Sequence, residues 1–463
     1  MRDAHFDGYL EQQRDSLLQP LLDFIRIPSI SLTGEGMAEA TSFLVMALQQ
    51  AGLTAQCYQT GGPPIVYAEN DIDNPPFELL IYGHYDVFPA DDPQSWATPP
   101  FEPTIIGDRI YGRGAGDNKG QIMAHIQALR VFRQLYGALP IKVKVIIEGE
   151  EETGSKKLPV FVGAHRDQLR ADLCFYSDGP MFPGDQPVLL FGARGAVCLE
   201  LNAHGARRVL HSGNFGGIAP NPVYDLCWLI SQLVTPDGQM LLPELQKGIP
   251  VLSATERAAL AQLPIDDAGI AQELGVRPLT ERYGQAFYER LLCRPNLNIA
   301  GFSGGYVGDG IKTIIPNQAT VKIDIRLVGD QDPQEIVEGI KRFIHDQGLD
   351  HIEVRQLVGQ PASRTRIDHP YATFVRDAVA QGFACTPLLV PSLAATTPDY
   401  VFTKLLGIPS IVVPYAPHDE QNHAPNESTK QSLYFNGIRT TALLLTQLGS
   451  TSIASKPSVT AAG

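Results

Sequence analysis

The chain has 463 residues, 44% hydrophobic and 19% charged, a globular composition that excludes both disorder and collagen-like repetition. At roughly 150 residues per domain it holds about three domain-sized units of chain, too many for one small binding module. With 36 basic against 50 acidic residues, a formal charge of −14, there is no basic field to bind nucleic acid or an anionic membrane surface.

Residues 1–17 include Arg2, Asp3, Asp7, Glu11, Arg14 and Asp15, too polar for a signal peptide or a membrane span, so cytoplasmic residence is expected. The six cysteines, at 57, 174, 198, 227, 293 and 385, form no C-x-x-C pair and read as reduced, mostly buried side chains. A helical pattern over 39–51 precedes an apolar strand, 78–82, that runs into Gly83-His84-Tyr85-Asp86. After Asp117, the spacing of Ile122, Ile126, Leu129 and Phe132 predicts a second helix, on which His125 reads as a satisfied core or partly exposed histidine. The β-branched run 141–147 predicts a buried strand whose C-terminal end delivers Glu150, Glu151 and Glu152. Open α/β sheets place their sites at such strand ends.

The pattern changes near Gly192. Val197, Leu199, Leu201 and Ala203 alternate with polar residues, as do Val321, Ile323, Ile325 and Leu327, the period of strands with one wet face. Asn221-Pro222 opens a helix between them. Asp332-Pro333-Gln334-Glu335 resembles a capping box with Gly348 as the stop, and 351–357 reads as a further strand. These elements predict an α/β chain in two parts, 1–192 and 363–463, interrupted by an α+β insert over 193–362. The Ser-, Thr-, Ala- and Pro-rich tail from about 449 is expected to be mobile.

Chemistry-bearing residues recur along this frame: His84, Asp86, Asp117, the glutamates 150–152, Asp178 and His423. Imidazole and carboxylate without thiolate suit Zn²⁺, Mn²⁺ or Co²⁺, and a shared carboxylate allows two ions about 3.5–4 Å apart. A further carboxylate beside them can take a proton from water as general base.

The ordered segments Gly83-His84-Tyr85-Asp86-Val87, Tyr111-Gly112-Arg113-Gly114, Asp117-Asn118-Lys119-Gly120, Gly149-Glu150-Glu151-Glu152-Thr153-Gly154-Ser155 and Ser177-Asp178 form the first part of a longer series. Gly192-Ala193-Arg194-Gly195, His211-Ser212-Gly213, Lys312-Thr313-Ile314-Ile315-Pro316, Arg326-Leu327-Val328 and His423 through Glu427 continue it. In this order they resemble the M20 metallopeptidases, and within them the carnosinase-like cytosolic dipeptidases. The resemblance implies a catalytic domain with a central mixed sheet flanked by helices, and an inserted lid or dimerisation domain. It implies two divalent ions per subunit, Zn²⁺ first, with Mn²⁺ or Co²⁺ also compatible. His84 and Asp178 correspond to ligands of one ion, Glu152 and His423 to ligands of the other, and Asp117 to the bridging carboxylate. Glu151 corresponds to the general base and Asp86 to the group that fixes the His84 tautomer. His211 would reach the neighbouring subunit's site in a homodimer and stabilise the oxyanion. Arg326 and Thr313 correspond to substrate contacts. His369, in His369-Pro370, fits either a substrate-contacting histidine or ordinary turn chemistry.

The implied reaction is amide hydrolysis of dipeptides or similar small amino-acid conjugates. An N-acyl amino-acid deacylase or carboxypeptidase-type member is the alternative, and a catalytically silent dimeric binding protein the reading from another class. In the family resembled, aspartate rather than glutamate at 178 goes with aminopeptidases and dipeptidases, which leans the reading toward a dipeptidase. One segment departs from the pattern: Ala394-Ala395-Thr396-Thr397-Pro398 stands where carnosinase-like members carry Gly-Gly-Ser-Ile-Pro, and two methyl groups restrict its approach to a substrate carboxylate. His418 lacks the following Asn-Glu and is set aside as a ligand.

Overall fold

The β-branched runs pair as the alternation requires. The computed structural model describes residues 4–278 and 287–450, so most of the tail lies outside the described residues. Twelve strands make its two principal sheets. They are β1 (Thr54–Tyr58), β2 (Ile65–Glu69), β3 (Glu78–His84), β4 (Lys142–Glu148), β5 (Leu173–Tyr176), β6 (Val188–Leu190), β7 (Gly195–His204), β8 (Asn296–Gly304), β9 (Gln318–Leu327), β10 (Ile352–Gln360), β11 (Leu388–Val390) and β12 (Ser410–Val412).

The chain forms two compact units. The first comprises Met1–Gly192, Arg364–Pro391 and Pro398–Gly463. Its eight-stranded sheet runs β1-β2-β4-β3-β5-β12-β6-β11, a mixed sheet whose central β4, β3, β5 and β12 are parallel. β3 and β4 are buried over nearly their whole length, so 79–82 of β3 and 145–147 of β4 are unbroken apolar runs, while buried Lys144 of β4 pairs with Glu78 at 2.7 Å. Helices Met37–Gln50, Lys119–Tyr136, Pro370–Gly382 and Gln431–Gly449 belong to this unit. Two further helices, Ala4–Gln12 and Arg14–Ile25, have no counterpart in the sequence reading; the second carries Pro20 in its interior, a residue that argues against a helix.

The second unit comprises Ala193–Ser363 with Ser392–Thr397. Its antiparallel sheet is ordered β8-β9-β7-β10. The apolar faces of β7 and β9 bury Val197, Leu199, Leu201, Val321, Ile323 and Ile325 against Leu226, Leu229 and Leu233 of helix Pro222–Leu233 and Ile336 and Ile340 of helix Pro333–Asp346. Each such side chain contributes about 1.5–3 kcal/mol on burial, which fixes the register of both strands. The expected capping box does not close. Asp332 caps Gln334 N at 2.7 Å, but Glu335 pairs with Lys247 at 2.6 Å instead of returning to the cap. Among the described residues no helix is long and apolar enough to cross a membrane.

His125 lies in the core of the first unit, bonded through Nδ1 to Thr441 Oγ1 (2.9 Å) and through Nε2 to Ser177 Oγ (3.0 Å). Burial pushes its imidazole from 6.5 down to about 3. Between those values the unfolded chain binds the extra proton, so stability falls as pH falls, by up to about 1.4 kcal/mol per pH unit. Denaturant titrations of the parent and His125→Gln at pH 4–6.5 should differ in slope by about one proton; identical slopes would show that His125 protonates in the folded chain.

Candidate metal centre

Three parallel strands end at one edge of the first unit's sheet. β3 terminates in His84, opposite Glu148 at the end of β4, and β5 runs into Ser177-Asp178. Asp117 sits just ahead of the helix Lys119–Tyr136, joined to Asn118 by a cis peptide. His423 lies in the loop before the short strand Ser428–Lys430, its ring stacked on Phe88 at 4.6 Å.

These segments bring five sequence-predicted residues into two overlapping groups. Ligand atoms of His84, Asp117 and Asp178 all lie within 4.8 Å of one another, as do those of Asp117, Glu152 and His423. Asp117 is common to both. Its Oδ1 is 3.1 Å from His84 Nε2 and its Oδ2 is 3.4 Å from His423 Nε2, which in turn is 2.9 Å from Glu152 Oε2. Asn118 Nδ2 (3.3 Å) and Gly179 N (2.8 Å) donate to Asp178 Oδ1 and hold that carboxylate in place.

The donor set fits two cations. His84 Nδ1 bonds the backbone carbonyl of Asp86 at 3.1 Å, so the neutral ring turns the Nε2 lone pair toward Asp117. Buried Nε2 has no hydrogen-bond partner among the described residues, and neither does buried Glu152 Oε1. Such orphaned atoms are costly unless a cation joins them. The charges agree. Burial is the largest cause raising Glu151, Glu152 and Asp178: Glu151 stands well above the carboxylate range, Glu152 is raised, and Asp178 reaches about 7 with Asp117 and Glu152 adding to the rise. Part of the Glu151 residue remains exposed, but its carboxyl meets three neighbouring acids. Asp117 goes the other way: against the cost of burial, His423 and His84 hold it below the carboxylate range. His423 is raised to about 10 by Asp117 and Glu152, so without metal its imidazole carries a proton that offsets part of the acids' charge.

The Asp86 side chain does more than orient His84. Its Oδ1 and Oδ2 accept the backbone N–H groups of Glu151 and Glu152, both at 3.1 Å, while Oδ1 is 3.4 Å from His84 Nδ1. The backbone carbonyl of Asp86 makes the shorter contact to the imidazole, and the carboxylate clamps the turn that carries two acids of the site. Glu427, quoted above as part of a motif but given no task, accepts from Gly116 N and Asp117 N through Oε1 (3.0 Å each) and from Arg113 through Oε2 (2.6 Å). No local pattern marks this clamp, because donors and acceptor lie some 310 residues apart.

The other predicted residues belong to neither three-residue group. His369 caps helix Pro370–Gly382 through Nδ1, accepting from Tyr371 N at 3.3 Å, the turn chemistry that was one of its two readings. In the second unit, Arg326 donates to Thr396 Oγ1 at 2.8 Å, and Thr313 is exposed, its carbonyl accepting from Ser212 N at 2.9 Å. His211 is exposed, with Nδ1 accepting from Gly213 N at 2.9 Å. His418 joins Asp185 and Asp419 in a third acidic group, where Lys430 and Arg109 already supply cations.

A family model described as Peptidase family M20/M25/M40 matches residues 80–447. The chain belongs to that peptidase family. Among curated proteins, the human Beta-Ala-His dipeptidase is 26% identical over 454 residues, spanning 93% of this chain and 90% of that protein. The Cys-Gly metallodipeptidase DUG1 of Candida albicans is 26% identical over 465 residues, 93% of this chain and 94% of its own. Among solved structures, the M20 family metallo-carboxypeptidase Sso-CP2 from Sulfolobus solfataricus superposes with a TM-score of 0.85 at 33% identity, covering 94% of this chain and 99% of that one. The fold is that of the M20 peptidases, and the chain is a metal-dependent hydrolase of that family.

Proposed function

We propose that this M20 hydrolase cleaves the amide bond of dipeptides, using His84 and Asp178 on one divalent ion, Glu152 and His423 on the other, and Asp117 on both. The observation that carries the reading is the pair of three-residue groups sharing Asp117. Zn²⁺ is the first choice for imidazole–carboxylate ligands, with Mn²⁺ or Co²⁺ also compatible. Bound ions would polarise the substrate carbonyl and make water acidic enough to lose a proton near neutral pH.

The protein's own groups do the rest. Glu151, raised by burial and by its acidic neighbours, has the basicity to take the proton of the attacking water and return it to the leaving amine. Asp86 holds Glu151 and Glu152 in register by their backbone N–H groups. On His211, Nδ1 is occupied as an acceptor, so the neutral ring carries its proton on exposed Nε2, the tautomer that donates to an oxyanion; we assign it to the site of a second subunit in a homodimer. Arg326, held by Thr396, is the candidate for the substrate carboxylate, with Thr313 a further contact. The free state of all six cysteines accords with a cytoplasmic protein.

Dipeptidase names among the relatives favour this substrate class, and the name of the Sulfolobus structure keeps the carboxypeptidase reading in view. The deciding experiment is a hydrolysis screen with added Zn²⁺ or Mn²⁺, comparing dipeptides, N-acyl amino acids and longer peptides, with products identified by mass. Dipeptides should be cleaved fastest, chelation should abolish turnover and added metal restore it. Faster cleavage of N-acyl amino acids or longer peptides would transfer the assignment to the carboxypeptidase branch. No hydrolysis of any of them by protein shown to hold two ions would sink both.

A further inference from the structure

We propose that Glu148 is a positioning residue for the Glu151-Glu152 turn, acting through Ser155. This rests on the reading of Glu152 as a metal ligand and Glu151 as base.

Glu148 closes β4 and is buried to within 1% of complete exclusion from solvent, yet it belongs to neither three-residue metal group. Its Oε1 accepts two hydroxyls, Tyr82 Oη at 2.8 Å and Ser155 Oγ at 2.9 Å. Ser155 is the residue on which the glutamate turn ends. Its N–H bonds the Glu150 carbonyl at 2.8 Å, and its φ of 49° is a left-handed conformation uncommon for serine. A hydroxyl tied to a buried carboxyl is what keeps the backbone there. The other end of the turn is tied as well, since Asp86 accepts the Glu151 and Glu152 N–H groups. Between the two ties the chain has little room: a Cβ on Gly149 would lie 2.2 Å from Tyr85 Cζ, so the link from Glu148 to Glu150 passes directly against that ring. Glu151 and Glu152 are thus suspended between Asp86 on one side and Glu148–Ser155 on the other.

A merely structural Glu148 would alter stability and leave the metals alone. A positioning Glu148 would alter the ion held by Glu152. The test is calorimetric titration of the full metal-free chain with Mn²⁺, alongside dipeptide turnover, for Glu148→Leu, Glu148→Gln, Ser155→Ala and the Leu/Ala pair. Glu148→Leu and Ser155→Ala should each weaken one of the two Mn²⁺ sites by about 10–100-fold and lower kcat by a similar factor, as loss of groups behind metal ligands does, with KM little changed. Glu148→Gln, which keeps an acceptor oxygen, should stay close to the parent. The double variant should be no worse than the poorer single, because both remove the same bond. Unchanged Mn²⁺ affinity in the singles, additive losses in the double, or equal damage from Gln and Leu would overturn the proposal. If Glu148→Leu fails to fold, Ser155→Ala, which removes one hydroxyl, decides. A parent chain that binds no Mn²⁺ would overturn the metal reading and Glu148 with it; a parent that binds two ions, matched by both singles, would overturn Glu148 alone.

Discussion

Glu151→Gln should leave both ions bound and reduce dipeptide hydrolysis by roughly 10²–10⁴-fold, the range a positioned general base supplies. The amide preserves size and keeps the backbone N–H that Asp86 accepts, so the turn and Glu152 stay where they are. Only the capacity to take a proton is removed. Metal content by mass spectrometry and turnover on the same preparation check both halves, and full activity in a two-ion variant would remove Glu151 as the base. The same variant tests the homodimer. His211→Ala should also depress turnover. In a mixed dimer with Glu151→Gln, one of the two sites regains both an intact base and an intact partner histidine, so such dimers should recover about half the parental rate if His211 acts across the interface. A verified mixed dimer with no recovery would place His211 in its own subunit's site or outside catalysis.

Glu427→Ala should be the most destabilising single change near the site. Arg113 and Glu427 are both about 1% exposed at the side chain and 2.6 Å apart. Removing one partner of such a pair costs about 3–5 kcal/mol, because the other is left charged and buried. Among the described residues Arg113 then keeps the Pro89 carbonyl at 3.2 Å and the face of Trp96 at 5.1 Å, and the N–H groups of Gly116 and Asp117 lose their acceptor. At about 2–4 °C per kcal/mol for a domain of 150–250 residues, the melting temperature should fall by roughly 6–20 °C. Replacing both partners, Arg113→Met with Glu427→Leu, should recover part of that loss, since no buried charge is then orphaned. A single variant within about 1 kcal/mol of the parent would show that water reaches Arg113.

Much of this was legible in the sequence, for identifiable reasons. The apolar periods of β3, β4, β7 and β9 marked strands because burial on one or both faces imposes them, and the strand ends stood out because His84 and Glu148 follow the apolar runs 79–82 and 145–147. The five residues of the metal groups came from motif order, and the fold brings them together. What stayed hidden depends on distance or on atoms the pattern does not describe. The sheet order, with β12 inserted between β5 and β6, follows from pairing across more than two hundred residues. The Asp86 contribution lies partly in a backbone carbonyl, which no side-chain identity reports. Residues 392–397, which overlap the 394–398 departure from a family loop, cluster with the second unit while their neighbours on both sides, Pro398 included, belong to the first.

The clamp between Glu427 and the Gly116-Asp117 backbone also sets a schedule. During synthesis at about 5–20 residues per second, Asp117 leaves the ribosome roughly 15–60 s before the carboxylate that holds it. For that interval His84, Asp117, Glu151, Glu152 and Asp178 exist without His423 and without the loop that fixes their shared member. On the proposed ligand assignment, an emerging chain would offer at most the first ion's ligands, and the second ion could be captured only once the segment carrying His423 and Glu427 has returned to the Asp117 turn. Loading of both ions would then follow the closing of the Glu427 clamp, and hydrolysis would wait for that contact.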